Sequence, residues 1–253
     1  MKIFLSAIDK YTLNELRRTN SEILWNLLSY FQIRGNGGAG IKLFLDTLKY
    51  SKEMLIDSGA HSFQKGKKVD WEAYTREYAE WIKKYDNPKI LGYFEMDVDN
   101  IIGYDNVLQL RRILTTATPK IIPVWHKNRD IEGFKAMCKE YSGRIVAISG
   151  FHNEDIRDDQ MSLFVNYAHK CGCKIHGLGM TRTKVLDKVP FDFTDSASWK
   201  LESAYGKVKG YPKRLAHGLD TKTQWVKIWA YSYRQCVKMQ KHYHLKYHKL
   251  HND

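Results

Sequence analysis

Short apolar segments that alternate with amphipathic helical segments are the feature that most constrains the fold of this 253-residue chain. Each apolar segment is nearly continuous, as in strands whose two faces are both buried, and such strands belong to parallel sheets. Alternating strands and helices build βαβ units, either in an open doubly wound sheet or in a (β/α)8 barrel. The predicted strands are KIFLSA (2–7), EMLIDSG (53–59), KILGYFEMDV (89–98), KIIPVWH (120–126), RIVAISG (144–150), KIHGLGM (174–180) and FDFTDS (191–196).

Helical patterns fill the intervals between these strands. Most of them begin at or just after an aspartate, which stabilises the N-terminus of a helix. The glycine-rich GNGGAG (35–40) follows a helix rather than a strand, so we predict a flexible loop there, suited to a lid, and no phosphate-binding turn. The predicted helices are 13–31, 71–85, 105–116, 130–141, 155–170 and 221–250, the last with Trp225, Trp229, Tyr233 and Val237 on its packing face.

The carboxyl ends of the predicted strands favour the barrel. An open sheet concentrates its site at one switch point, whereas a barrel gathers the tips of all strands around one mouth. We therefore predict a single TIM-like barrel domain over 1–253 with a long basic C-terminal helix. RLAHGL (214–219) is a poor candidate for the last strand, so we expect an incomplete or irregular closure there. The polar or glycine tips are Asp57, Asp97, Asp99, His126, Gly150, His176 and Asp195.

Charge and composition limit the functional classes. The net charge of +13 and the pI near 9.4 favour a polyanionic partner, and we expect nucleic acid. The longest apolar runs fall far short of the ~20 residues of a membrane span, so we expect a cytoplasmic protein without a membrane partner. The lone pair Cys171 and Cys173 lacks the second pair of a structural zinc site, so we interpret both as ordinary buried or edge cysteines. For the protein as a whole we expect no bound metal and no cofactor.

Three aspartates are the first candidates for chemistry. Asp57 stands in IDSGAHSF, where the Asp-Ser-Gly turn brings backbone amides close to a ligand, although such a turn is also a common cap. Asp97 and Asp99 stand two apart in FEMDVDN and would face one side of a strand. A carboxylate there can accept hydrogen bonds from a guanine-like base. A metal site is the rival interpretation, with His126 or His176 as the third ligand.

Four blocks in this order, DSGAHSF, DVDN, IHGLGMT and FTDSASW, resemble the tRNA-guanine transglycosylase superfamily. They are most similar to its short viral and bacterial branch, the DpdA-like enzymes that place 7-deazaguanines in DNA. The resemblance covers about 55–199, more than half of the chain. It implies a (β/α)8 barrel that exchanges guanine for a free 7-deazaguanine base of the preQ0 type.

The resemblance also implies a role for each site residue. Asp195 would be the nucleophile that attacks C1′ of the sugar, and Asp57 the general acid and base that serves the leaving and incoming bases. Apart from the resemblance, we expect the neighbouring hydroxyls of Ser196 and Ser198 to support the ionised Asp195. Trp199 would either pack beneath the turn or stack on a flipped nucleotide. The implied base-binding residues are Asp97, Asp99, His126, Gly150, His61, His176 and Gly177.

Departures from the tRNA enzymes bear on the substrate. The cysteine and histidine zinc motif of those enzymes is absent from the sequence, and Ala60 replaces the second glycine of the DSGG block. We therefore expect DNA as the polymer substrate, with tRNA as the alternative. An accessory protein is a further expected partner that the sequence leaves open. A barrel that binds nucleic acid without catalysis and a metal-dependent barrel hydrolase are the alternatives from other classes.

Overall fold

The computed structural model describes residues 1–63, 69–149, 156–204, 218 and 220–249, without the side chains of His61, Glu202, Ala204 and Lys249. Nine strand segments in these residues pair in parallel. They are β1 (Lys2–Ser6), β2 (Trp25–Ser29), β3 (Glu53–Asp57), β4 (Ile90–Phe94), β5 (Ile121–Ile122), β6 (Val124–Trp125), β7 (Ile145–Ser149), β8 (Lys174–Leu178) and β9 (Phe193–Ser196).

Helices connect the strands in the way that parallel pairing requires. The α-helices are α1 (Lys10–Arg18), α2 (Tyr30–Gly35), α3 (Gly37–Tyr50), α4 (Trp71–Tyr85), α5 (Asp99–Ile102), α6 (Tyr104–Thr115), α7 (Asp130–Glu140), α8 (Met161–Lys170), α9 (Thr183–Leu186), α10 (Ser198–Ala204) and α11 (Thr221–Lys249). Two short 3-10 helices cover Ala60–Phe63 and Lys127–Arg129.

The sheet closes on itself. Its strand order is β5-β4-β3-β2-β1-β9-β8-β7-β6, and only Pro123 separates β5 from β6. Before the proline the chain pairs with β4, and after it the chain pairs with β7. The two short segments are therefore halves of one strand, and the structure is an eight-membered parallel barrel with helices outside. This confirms the predicted TIM-like fold and the long C-terminal helix.

A buried ion pair completes the barrel at the broken strand. Proline has no backbone N–H, and the next donor, the N–H of Val124, turns to the Glu95 carboxylate at 2.6 Å. Arg111 on α6 donates to the same carboxylate at 2.5 and 3.1 Å. Burial alone would lower the pKa of Arg111, but the facing carboxylate raises it above its ordinary value. The irregularity of this barrel thus lies at β5 and β6, and not at the last strand as predicted.

The strand that the sequence analysis missed is β2. The predicted helix 13–31 is wrong, because α1 ends at Arg18 and the chain turns through Asn20, which has a left-handed φ of 48°. Asparagine tolerates this backbone region better than most residues. The strand Trp25–Ser29 then pairs between β1 and β3. The barrel therefore needs no strand at 214–219, most of which lies outside the described residues.

The glycine-rich segment is helical, and the predicted loop at 35–40 is wrong. Gly35 ends α2, Asn36 joins the two helices, and α3 starts at Gly37. A Cβ on Gly40 would lie 2.1 Å from the backbone oxygen of Ile33. Glycine is thus required here because two consecutive helices approach each other closely.

The C-terminal helix is fastened to the barrel by polar as well as apolar contacts. Tyr233 and Val237 are buried, as the predicted packing face requires. The Tyr233 hydroxyl donates to Asn26 on β2 at 2.9 Å, and the Gln240 amide donates to the backbone oxygens of Ile3 and Trp25. These contacts hold α11 across β1 and β2.

Most other predicted helices are confirmed with small shifts of their ends, except that α8 begins at Met161 instead of residue 155. The predicted N-cap of α4 is present, since Asp70 accepts a hydrogen bond from the N–H of Ala73 at 3.0 Å. Among the described residues, no helix combines the length and apolar character needed to cross a membrane.

Candidate active site at the barrel mouth

Asp57 is held at the tip of β3 by the turn that follows it. The N–H of Gly59 donates to Asp57 Oδ2 at 2.9 Å. Gly59 has a φ of 78°, and a Cβ there would lie 2.3 Å from Cβ of Phe31, so only glycine fits. Ser29 at the tip of β2 is the register partner of Asp57, which places a hydroxyl beside the carboxyl group.

The electrostatic environment of Asp57 favours its protonated form. Burial and then the charge of Asp97 raise its pKa, the Gly59 hydrogen bond lowers it, and the charge of Asp195 raises it further. The result is a pKa of about 7 instead of 3.8. Asp97 and Asp195 are therefore close enough to Asp57 at the mouth to raise its pKa, and Asp57 exchanges its proton near neutral pH.

Asp97 and Asp99 lie beyond the strand that was predicted to carry them. The strand β4 ends at Phe94, Asp97 follows in a loop, and Asp99 opens the short helix α5. Both still approach His126: its Nε2 contacts Asp97 Oδ1 closely and lies 3.7 Å from Asp99 Oδ1. The loop, rather than strand alternation, brings the two carboxylates to the same imidazole.

A cation that the sequence analysis missed completes this group. Arg129, three residues after His126, has its Nε 3.2 Å from Asp99 Oδ2 and its guanidinium 4.4 Å from the centre of the Tyr104 ring. Asp99 is only 6% exposed, and a buried carboxylate is costly without a partner. The Arg129 cation offsets this cost. The spacing of Arg129 from a strand-tip histidine was the available signal, but a basic residue in a loop is too common to single out.

The protonation of His126 follows from its neighbours. Burial lowers its pKa, but the hydrogen bond to Asp97 and the charges of Asp97 and Asp99 outweigh burial, and the net shift is upward. His126 is therefore biased toward the imidazolium form. The pair Asp97–His126 presents a carboxylate acceptor next to a cationic donor.

Asp195, the predicted nucleophile, is held on one oxygen. His176 Nε2 lies 2.9 Å from Asp195 Oδ1, and the N–H of Gly179 donates to the same atom at 3.0 Å. An ionised carboxylate only accepts hydrogen bonds, so His176 carries its proton on Nε2 when Asp195 is charged. Among the described hydrogen bonds none involves Oδ2, which leaves that oxygen available to a reacting atom.

His176 does not lie where the resemblance implies. Its side chain has no exposed surface, and its ring packs edge-on against Phe94 with the centroids 5.0 Å apart. A base cannot stack on a ring that is completely covered. The structure therefore corrects the predicted base-sandwiching role and places His176 beneath Asp195 as a positioning group.

The residues after Asp195 support the turn and not the carboxylate. The Ser196 hydroxyl contacts the Ser198 hydroxyl at 2.9 Å and accepts the N–H of Ser198 at 3.0 Å. Trp199 is buried, and its indole N–H donates to the backbone oxygen of Ser6 at 2.7 Å. Of the two predicted alternatives for Trp199, packing beneath the turn is therefore correct.

The structure describes the three remaining predicted base contacts, Gly177, His61 and Gly150, to different extents. Gly177 lies in β8, and a Cβ on it would lie 3.1 Å from the side chains of Met180 and Phe191. Gly177 therefore faces the apolar cluster that contains these two residues. The backbone of His61 lies in the 3-10 helix after Asp57, but its side chain is outside the described residues, as is Gly150. Their roles stay predictions.

The metal interpretation can be tested against these positions. One ligand atom each from Asp97, Asp99 and His126 lies within 4.8 Å of the others. His176, the other ligand considered, is committed to Asp195. Arg129 already offsets the charge of Asp99, so a divalent ion would have to compete with Arg129 for the Asp99 carboxylate.

Comparisons with known proteins add little to this geometry. No protein-family model and no curated protein matches the sequence. A crystal structure from Burkholderia cenocepacia J2315, described as a "putative lyase/mutase", superimposes with a TM-score of 0.49 at 10% identity, over 88% of this chain and 89% of that chain. So distant a likeness carries no argument about function, and the barrel assignment rests on the strand pairing.

Proposed function

We propose that this protein is a guanine transglycosylase that exchanges guanine in DNA for a 7-deazaguanine base. The observation that carries the proposal is the coupling of Asp57 and Asp195 at one barrel mouth, with the pKa of Asp57 at about 7. Base exchange at a sugar carbon with retention needs two carboxyl groups in different states, one ionised and one able to transfer a proton. The resemblance of the four sequence blocks supplies the substrate class.

The two carboxyl groups divide the chemistry. Asp195 Oδ2 attacks C1′ of the deoxyribose while the bond from C1′ to N9 of guanine breaks and its electrons leave with the base. Asp57 donates its proton to the departing guanine. The incoming 7-deazaguanine then gives a proton to Asp57 and attacks C1′, which releases the Asp195 carboxylate. Two displacements at the same carbon retain its configuration.

Asp97 and His126 suit recognition of the guanine edge. Asp97 is partly exposed, and its Oδ1 is committed to His126, which leaves Oδ2 for the N1–H and the 2-amino group of the base. The imidazolium of His126 can donate to the 6-oxo group. Adenine presents the opposite pattern at these positions, so this pair would discriminate between the purines.

A base-exchange assay tests the proposal. DNA and tRNA carrying radiolabelled guanine are incubated with the protein and free preQ0 or preQ1, and release of label is measured. We expect release from DNA. Release from tRNA alone would favour the RNA alternative, whose 2′-OH is what distinguishes the polymers. No release from either polymer would contradict the proposal.

The nucleophile is tested separately. Asp195→Asn should abolish any covalent adduct between protein and DNA while DNA binding persists, because the neutral amide is a poor nucleophile. Asp46→Asn, on the outer helix α3, is the matched control and should form the adduct normally. An adduct that survives in Asp195→Asn would refute the assigned role.

A metal-dependent hydrolase is the second candidate, favoured by the cluster of Asp97, Asp99 and His126. It predicts about one bound divalent ion per chain and loss of activity in chelator. Transglycosylation through Asp57 and Asp195 predicts base exchange that chelator leaves unchanged. Metal analysis of the purified protein together with the chelator experiment separates the two.

A further inference from the structure

A basic ridge borders the strand that carries Asp195. The strand β9 pairs with β1, α1 follows β1 directly, and α11 packs against α1. The ridge therefore starts at the rim of the mouth and continues down the outside of the barrel. It consists of Lys10, Tyr11, Arg17, Arg18, Lys222 and Lys227.

At the rim, an aromatic ring lies between two cations. Tyr11 is 41% exposed, and the ammonium groups of Lys222 and Lys10 lie 4.4 and 5.0 Å from its ring centre. Lys222 first and Lys10 second lower the pKa of the Tyr11 hydroxyl, which shows how positive this corner is. In the described part of the chain, neither lysine has a carboxylate within salt-bridge distance.

Farther from the rim, the ridge ends in an open surface depression of about 710 Å³, which Ile23 also lines. Arg17 and Arg18 line it together with the side chains of Asn14, Asn20 and Ser21. Tyr50 lines the depression as well, and the Arg17 guanidinium lies over its ring at 4.3 Å from the ring centre. The Arg17 guanidinium next to amide and hydroxyl donors matches the oxygen-rich surface of a phosphate.

The dimensions suit a nucleic-acid strand. From Lys10 to Arg18 the helix rises by about 12 Å at 1.5 Å per residue. One DNA strand places a phosphate about every 3.4 Å along the duplex axis, so this length matches three to four phosphates. Among the acidic side chains beside the ridge, Glu15 is bound by Arg18 at 2.8 Å and Asp9 by Lys200 at 2.5 Å, and Asp220 accepts a hydrogen bond from the N–H of Thr223 at 3.0 Å.

We propose that the basic ridge binds the sugar–phosphate backbone of DNA next to the nucleotide that enters the mouth. The inference rests on the proposed function for the choice of DNA, but its charges and geometry stand apart from the catalytic carboxylates. The exposed ring of Tyr11 would stack on a sugar or an unpaired base at the rim. Binding here would place the neighbouring nucleotide over Asp195.

The experiment compares two triple variants with equal loss of charge. The ridge variant is Lys10→Gln, Arg17→Gln and Lys222→Gln. The control variant is Lys84→Gln, Lys139→Gln and Lys170→Gln, exposed lysines of α4, α7 and α8 on other sides of the barrel. Anisotropy with a fluorescein-labelled 20-base-pair DNA duplex gives Kd between 50 and 200 mM salt, and a labelled tRNA is measured in parallel.

For the ridge variant we expect Kd for DNA to rise at least tenfold at low salt. The slope of log K against log salt should shrink by about 2 to 3, at ~0.9 per lost phosphate contact. The control variant should change Kd less than threefold. Equal weakening by both variants, no DNA binding by the wild type, or a tRNA preference that the ridge variant abolishes would overturn the proposal.

The outcome is distinguishable from that of the base-exchange assay. Loss of DNA affinity in the ridge variant without base exchange by the wild type would support the ridge and contradict the transglycosylase. Base exchange with an unchanged KM for DNA in the ridge variant would overturn the ridge alone.

Discussion

Replacing Asp57 with asparagine should stabilise the protein at alkaline pH and have a much smaller effect in acid. The fold raises the pKa of this carboxyl group from 3.8 to about 7. A carboxyl group whose pKa is higher in the folded state binds its proton more tightly there, so stability is highest at low pH and falls as pH rises toward 7. Asparagine is neutral at every pH and still offers an oxygen to the Gly59 N–H.

The magnitude follows from the difference between the ordinary pKa of 3.8 and the folded-state pKa of about 7, since each factor of ten in proton affinity corresponds to about 1.4 kcal/mol. Relative to the asparagine variant, the wild type should lose about 2 kcal/mol at pH 5 and about 4 kcal/mol at pH 8. Urea unfolding followed by circular dichroism at pH 5, 6, 7 and 8 gives the difference in unfolding free energy directly. Asp46→Asn, which removes a carboxylate from the outer surface, is the control.

A difference that stays constant from pH 5 to 8 would refute the raised pKa of Asp57. A second variant tests its cause. Asp97→Asn removes the neighbouring charge, so it should lower the pKa of Asp57 and reduce the cost at pH 8. If the proposed base exchange is correct, the same titration should appear in catalysis: its first displacement needs protonated Asp57, and the rate of that step should decline above pH 7.

Further changes test the packing of the barrel by urea unfolding. Gly40→Ala should cost roughly 1 to 3 kcal/mol or more in unfolding free energy, because its Cβ would clash as in an overpacked site. Gly38→Ala is the control: its Cβ would have no atom within 4 Å, so it should stabilise α3 by about 0.5 kcal/mol. Arg111→Met should cost about 3 to 5 kcal/mol because it removes the cation that offsets the burial of Glu95, a burial that already raises the pKa of this carboxyl group, and equal stability would contradict the ion pair at the closure. Trp199→Phe should cost about 1 to 3 kcal/mol through the lost hydrogen bond to Ser6 yet retain DNA affinity; a selective loss of affinity would favour stacking on a nucleotide.

The candidate site was only partly predictable. Asp57 and Asp195 stand at the ends of apolar segments, and a parallel barrel brings such ends to one mouth whatever the loops do. The hydrogen-bond partner of Asp195 could not be predicted from strand ends, because His176 precedes the end of β8 by two residues. The complete burial of His176 depends on how β8 and β9 pair. Arg129 lies in a short 3-10 helix whose course only the packed structure defines.

The sequence by itself determined the alternation of strands and helices, the barrel architecture and the chain positions of the catalytic candidates, because these follow from local hydrophobic patterns. Tertiary structure decided where the barrel closes. The apolar residues of 13–31 fit a helical period, and only pairing with β1 and β3 makes Trp25–Ser29 a strand. The break at Pro123 is likewise tolerated because Glu95, distant in the chain, supplies the acceptor that the ladder lacks. Such long-range compensation leaves no trace in local periodicity.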